Sequence, residues 1–147
     1  MALLRVFYED WQMECCGRPF AVGDEVGWRL VAYDDPQVRG EGRYGAQAWV
    51  ENHGGPRQRT TGRVRAIDLV REEYVEPATG DGGLAPVPGT CSLESVEKCP
   101  KWFEQQETVT DAGLRRARRT CGVLVTLDVA DTGPRAPRDR RRARRGR

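Results

Sequence analysis

The chain has 147 residues and a mass of 16.5 kDa, room for one domain with one hydrophobic core of ordinary size. Hydrophobic residues make up 38% of it, and no stretch approaches the roughly 20 apolar residues of a membrane span. The formal charge of +2 hides a division: residues 135–147 hold eight Arg and one Asp, a net +7, which leaves an acidic body of −5 over residues 1–134.

Residues 3–8 are apolar on both alternating faces, Leu4, Val6 and Tyr8 on one and Leu3 and Phe7 on the other, the pattern of a strand covered on both sides. Next comes the densest segment of the chain, Trp11-Gln12-Met13-Glu14-Cys15-Cys16-Gly17 followed by Pro19-Phe20-x-Val22-Gly23-Asp24-x-Val26-x-Trp28. Gly17-Arg18-Pro19 and Val22-Gly23-Asp24 read as turns. Val26, Trp28, Leu30 and Ala32 then alternate as the buried face of a strand that stops at Asp34-Asp35-Pro36. Residues 47–52 form a short strand or a helical turn. Residues 62–74 read as a long strand whose inward face slips from Val64 and Ala66 to Ile67 and Leu69, as a β-bulge produces. Residues 76–90, with four Gly and three Pro, read as an exposed, mobile loop.

Pro100 divides the segment 91–107, and Trp102-Phe103 is expected to anchor its second half. Residues 108–119 read as a polar connector. Val123, Val125, Leu127 and Val129 alternate with Leu124, Thr126 and Asp128 in the cleanest strand of all. The four tryptophans, Trp11, Trp28, Trp49 and Trp102, are expected to fill the core. These elements predict an all-β domain over residues 1–133, a small barrel-like or strongly bent antiparallel sheet of about five strands with long loops. A disordered arginine-rich tail follows at 134–147.

Five cysteines, an odd number, and an N-terminus without a secretory pattern predict a cytoplasmic protein with reduced thiols. Cys15 and Cys16 with His53, the only histidine, and one of Cys91, Cys99 or Cys121 would make a zinc set. Adjacent cysteines usually point apart, so ordinary buried or turn cysteines needing no cofactor are the competing reading. A Cys–His nucleophile pair could be drawn from the same residues. Gly40-Glu41-Gly42-Arg43-Tyr44-Gly45 has the letters of a dinucleotide loop but lacks the preceding strand and following helix, so it reads as a plain loop.

Trp11, Glu14, Asp24 and Trp28 mark a candidate binding surface for a protein partner. Arg115, Arg116, Arg118 and Arg119, with Arg140, Arg141 and Arg142 of the tail, could neutralise phosphates and bind nucleic acid without sequence preference. No complete catalytic set of nucleophile, base and charge stabiliser follows.

The motif from Trp11 to Trp28 resembles a family of small uncharacterised actinobacterial proteins described only as a domain of unknown function. His53-Gly54-Gly55, Gly62-Arg63-Val64-Arg65-Ala66-Ile67 and Gly122-Val123-Leu124-Val125 fit the same pattern, and the resemblance spans residues 3–130 without the tail. It implies a cytosolic bacterial protein and transfers no catalytic residue. The expectation is a non-catalytic binding or interaction module. A nucleic-acid-associated protein and a thiol- or zinc-dependent enzyme using Cys15, Cys16 and His53 are the alternatives.

Overall fold

The computed structural model describes residues 2–33, 44–54, 57–78 and 83–130. Most of the loop at 40–45 and the tail bearing Arg140, Arg141 and Arg142 lie outside the described residues.

Among these residues, nine strands and one short helix follow in the order β1 (Ala2–Glu9), α1 (Asp10–Cys16), β2 (Glu25–Trp28), β3 (Leu30–Ala32), β4 (Ala48–Val50), β5 (Thr60–Val75), β6 (Ala85–Pro86), β7 (Ser92–Val96), β8 (Gln105–Val109) and β9 (Arg115–Val129). They form one sheet along the path β2-β5-β9-β1-β4-β3. Every pairing is antiparallel except β1 with β4, where Val6 faces Ala48 and Phe7 faces Trp49. The two ends of the path, β2 and β3, are separated in sequence by Arg29 alone. The sheet therefore curls to bring its own edges together, which makes it barrel-like.

The long β5–β9 pair is the spine. Its first half forms the barrel wall, and its second half runs out as a ribbon flanked by β6 and β7 on β5 and by β8 on β9. Register shifts at Val64/Ala66 and Val70/Arg71 mark two bulges. The first puts both Val64 and Ile67 into the core, where strict alternation would turn one outward. Leu4, Val6 and Tyr8 of β1 and Val123, Val125, Leu127 and Val129 of β9 fill the main core. Phe7, Ala46, Val70 and Leu124 form a smaller cluster on the opposite face. Both faces of β1 are thus used, although Leu3 stays exposed.

Several expectations need correcting. The strands number nine among the described residues, because polar pairings such as β7 and β8 carry no apolar alternation. The single strand expected over 26–32 is two strands broken at Arg29, each bound to a different neighbour. The polar connector at 108–119 is a β8–β9 hairpin with its turn at Thr110–Gly113. Residues 85–86 of the expected loop pair with Tyr74 and Val75. Trp11 and Trp102 are 48% and 69% exposed, so only part of the tryptophan set packs on the core, and Phe103 is the anchor of its segment.

Candidate functional site

β1 leads directly into α1, and the step between them requires a bare backbone opposite. Gly122 of β9 lies so close to the Tyr8 carbonyl that a Cβ there would collide with it. Gly17 closes the helix for a similar reason, since a Cβ would sit 2.5 Å from the Tyr8 hydroxyl and 2.8 Å from the Met13 Cα. Its own N–H donates to the Met13 carbonyl at 2.9 Å. Lys101 completes the end of the helix, donating from Nζ to the carbonyls of Met13 at 2.7 Å and Gly17 at 3.0 Å. A cation there answers the negative end of the helix.

Held in this way, α1 presents Gln12, Cys15 and Cys16 at spacings of three and four residues, on one side of the helix. The segment after β4 supplies Glu51, Asn52 and His53 opposite them. His53 Nε2 lies 3.2 Å from Cys15 Sγ and 3.4 Å from Cys16 Sγ. The two sulfurs also touch each other in the pairing of a disulfide between neighbours. Cys91, Cys99 and Cys121 are free and take no part. Cys99 is buried, donates toward the Pro100 carbonyl at 3.4 Å, and has its pKa pushed up to about 12 by desolvation. Cys121 lies against the Tyr74 hydroxyl at 3.5 Å, beside the smaller apolar cluster, and burial raises its pKa too. The expected zinc set thus assembles as three residues, without a fourth cysteine among the described residues.

The surroundings fix how His53 is presented. Gln12 is 2% exposed, and its Nε2 donates to Glu51 Oε1 at 3.1 Å. Its Oε1 accepts the Asn52 backbone N–H at 3.1 Å and faces His53 Nδ1 at 3.0 Å. An ionised carboxylate can only accept and a backbone N–H can only donate, so the amide has one consistent orientation. Nδ1 must therefore carry the proton, and in the neutral ring the Nε2 lone pair points at the sulfurs. Glu51 Oε1 also accepts the His53 backbone N–H at 3.0 Å. That bond, with the one from Gln12, holds the Glu51 carboxyl below its ordinary range. Trp11 stacks on the imidazole with centroids 5.1 Å apart and planes at 25°.

Of the other expected surface residues, Glu14 Oε2 accepts the Phe103 N–H at 3.2 Å and Asp24 Oδ2 accepts the Ala21 N–H at 2.9 Å. Both brace the fold locally. Trp28 packs edge-on against Tyr8 and Phe20 at 5.2 and 4.8 Å.

The arginine cluster is stitched into the ribbon. Arg115 pairs with Glu107 at 2.8 Å, Arg116 pairs with Glu73 at 2.7 Å, and Arg119 lies 5.2 Å over the Tyr74 ring. Two of these guanidiniums share their charge with a carboxylate, which reduces the net positive charge the cluster offers a phosphate.

The residues that sequence reasoning missed are Gln12, Glu51 and Asn52. The spacing of Gln12 to Cys15 and Cys16 is a helical one and was the available signal.

A domain of this kind, a curled β sheet whose short helix α1 carries two thiols facing an imidazole, matches a known family profile over residues 2–129. The chain belongs to DUF6578, a family of unknown function. No curated protein and no solved structure matches it.

Proposed function

We propose that this domain is a metal-binding module in which Cys15, Cys16 and His53 hold one soft or borderline ion such as Zn²⁺. The observation that carries the reading is the orientation of His53, with Nδ1 engaged by Gln12 and Nε2 directed at both sulfurs. Tetrahedral zinc with Zn–S near 2.3 Å and Zn–N near 2.0 Å sets sulfur and nitrogen about 3.5 Å apart. The observed 3.2 and 3.4 Å are close to that. Three protein donors leave a fourth position for water or a ligand. Metal binding belongs to the reduced pair, since a disulfide offers no thiolate. A cytoplasmic setting would keep the pair reduced.

Tagless protein purified under reductant without chelator should carry about one equivalent of zinc by elemental analysis, in line with a single set of donors. Cys15→Ser, Cys16→Ser and His53→Ala should each lose it. Reduced, folded protein that takes up no metal from a zinc buffer removes the reading.

The sulfur contact supports a second one, a dithiol–disulfide couple. Counting free thiols before and after reductant separates the two. Five thiols without reductant favour the metal site, and three favour the redox pair.

A further inference from the structure

A groove of about 750 Å³ opens between the end of α1 and β2, with Cys16 in its wall. That size falls within the roughly 300–1,000 Å³ of small-molecule sites. Tyr8, Phe20 and Trp28 line it as a set of mutually packed rings, and Trp28 is only partly buried. Arg18, Arg29 and Arg59 also line it, against Asp24 and Glu25. Asp24 is committed to its own turn through the Ala21 N–H, and Arg59 donates to the Gly27 carbonyl at 3.1 Å. Arg18 and Arg29 form no ion pair among the described residues. The Tyr8 hydroxyl, in a residue 2% exposed, accepts from Asn52 Nδ2 at 2.8 Å and donates to none of the described residues. Among the described residues, one buried O–H and two guanidiniums without an acidic partner are therefore left for an acceptor inside the groove. The guanidinium fork suits a carboxylate or phosphate, and the rings suit a flat body beside it.

We propose that this groove binds a small anion built on a flat ring, the chemistry shared by nucleoside monophosphates and aromatic carboxylates. Its ring lies along Trp28 and Phe20, and its anionic group is held by Arg18 and Arg29 with the Tyr8 hydroxyl. The site is distinct from the metal cluster, although Cys16 borders both.

Isothermal titration of the reduced, chelator-treated chain with adenosine 5′-monophosphate, adenosine, inorganic phosphate and benzoate tests this. Adenosine 5′-monophosphate or benzoate should saturate at millimolar concentration or below. Adenosine and phosphate alone should bind at least about tenfold more weakly, because each keeps half of the recognised chemistry. Saturation by the nucleotide alone assigns the nucleotide source, and saturation by benzoate alone assigns the aromatic acid. The double variant Arg18→Ala/Arg29→Ala, with its melting temperature unchanged, should lose about tenfold or more in affinity. A Cys15→Ser variant, which loses a zinc ligand but changes no residue lining the groove, should retain binding, which keeps the groove and the metal site separately testable. Absence of saturable heat with both anions, or unchanged affinity in the arginine variant, overturns the proposal.

Discussion

Gln12 Oε1 stands 3.0 Å from His53 Nδ1, and among the described residues it is the only side-chain oxygen that joins the helix bearing the two cysteines to the histidine facing them. Glu51 in turn fixes the amide, so the direction of the imidazole is set two residues away from the sulfurs. Groups behind a ligating histidine typically tune metal affinity by about 10–100-fold. Gln12→Leu should weaken zinc binding by about that factor while the sheet still forms, as read by competition with a chromophoric chelator. An unchanged zinc affinity in a folded Gln12→Leu protein would show that Gln12 does not orient the ring.

Lys101 makes its contribution through the backbone. Lys101→Met keeps much of the aliphatic stem and leaves the Met13 and Gly17 carbonyls without their charged donor. The expected cost is about 1–2 kcal/mol of stability in urea unfolding. A variant as stable as the parent would mean that water replaces the ammonium at no cost.

β9 offers an internal control. Val125 is fully buried among Val6, Ile67 and Leu127, whereas Thr126 is only partly covered on the other face. Burial of Val125 supplies about 1.5–3 kcal/mol, and an aspartate in its place would bury an unpaired charge. Val125→Asp should abolish soluble folding and Thr126→Asp should be tolerated. Equal yields and melting temperatures would contradict the orientation of the strand.

Cys99 gives a pH dependence of known sign. Its thiol is pushed up to about 12 by burial, so between pH 9 and that value the native state keeps a proton that the unfolded chain has lost. Its contribution is complete below the unfolded value and disappears as pH rises through the window, at up to about 1.4 kcal/mol per pH unit. Cys99→Ala should flatten the alkaline slope of unfolding free energy. Equal slopes would show that Cys99 is not held neutral by the fold.

The strands with apolar alternation were legible from sequence, as was the slip in β5, because Val64 and Ile67 announce the core on either side of it. β7 and β8 were not, since their residues are mostly exposed and are held by ladder bonds to long partners that no local pattern reveals. The helix over Asp10–Cys16 was hidden by its length of seven residues and by the strong turn signals after it. At the site, Cys15, Cys16 and His53 were recognisable by residue type. Their meeting depends on contacts spanning 37 and 38 positions, and the role of Gln12 follows only from that meeting.

The placement of Arg29 has one further consequence. Because β2 and β3 lie at opposite ends of the sheet path yet flank this single residue, the main ring of strands, among the described residues, offers no long free rim on which a second chain could build. The same short stretch contributes Trp28 and Arg29 to the groove. A molecule lodged there would rest on β2 and on the joint at Arg29, the one point where the chain passes from one margin of the sheet to the other.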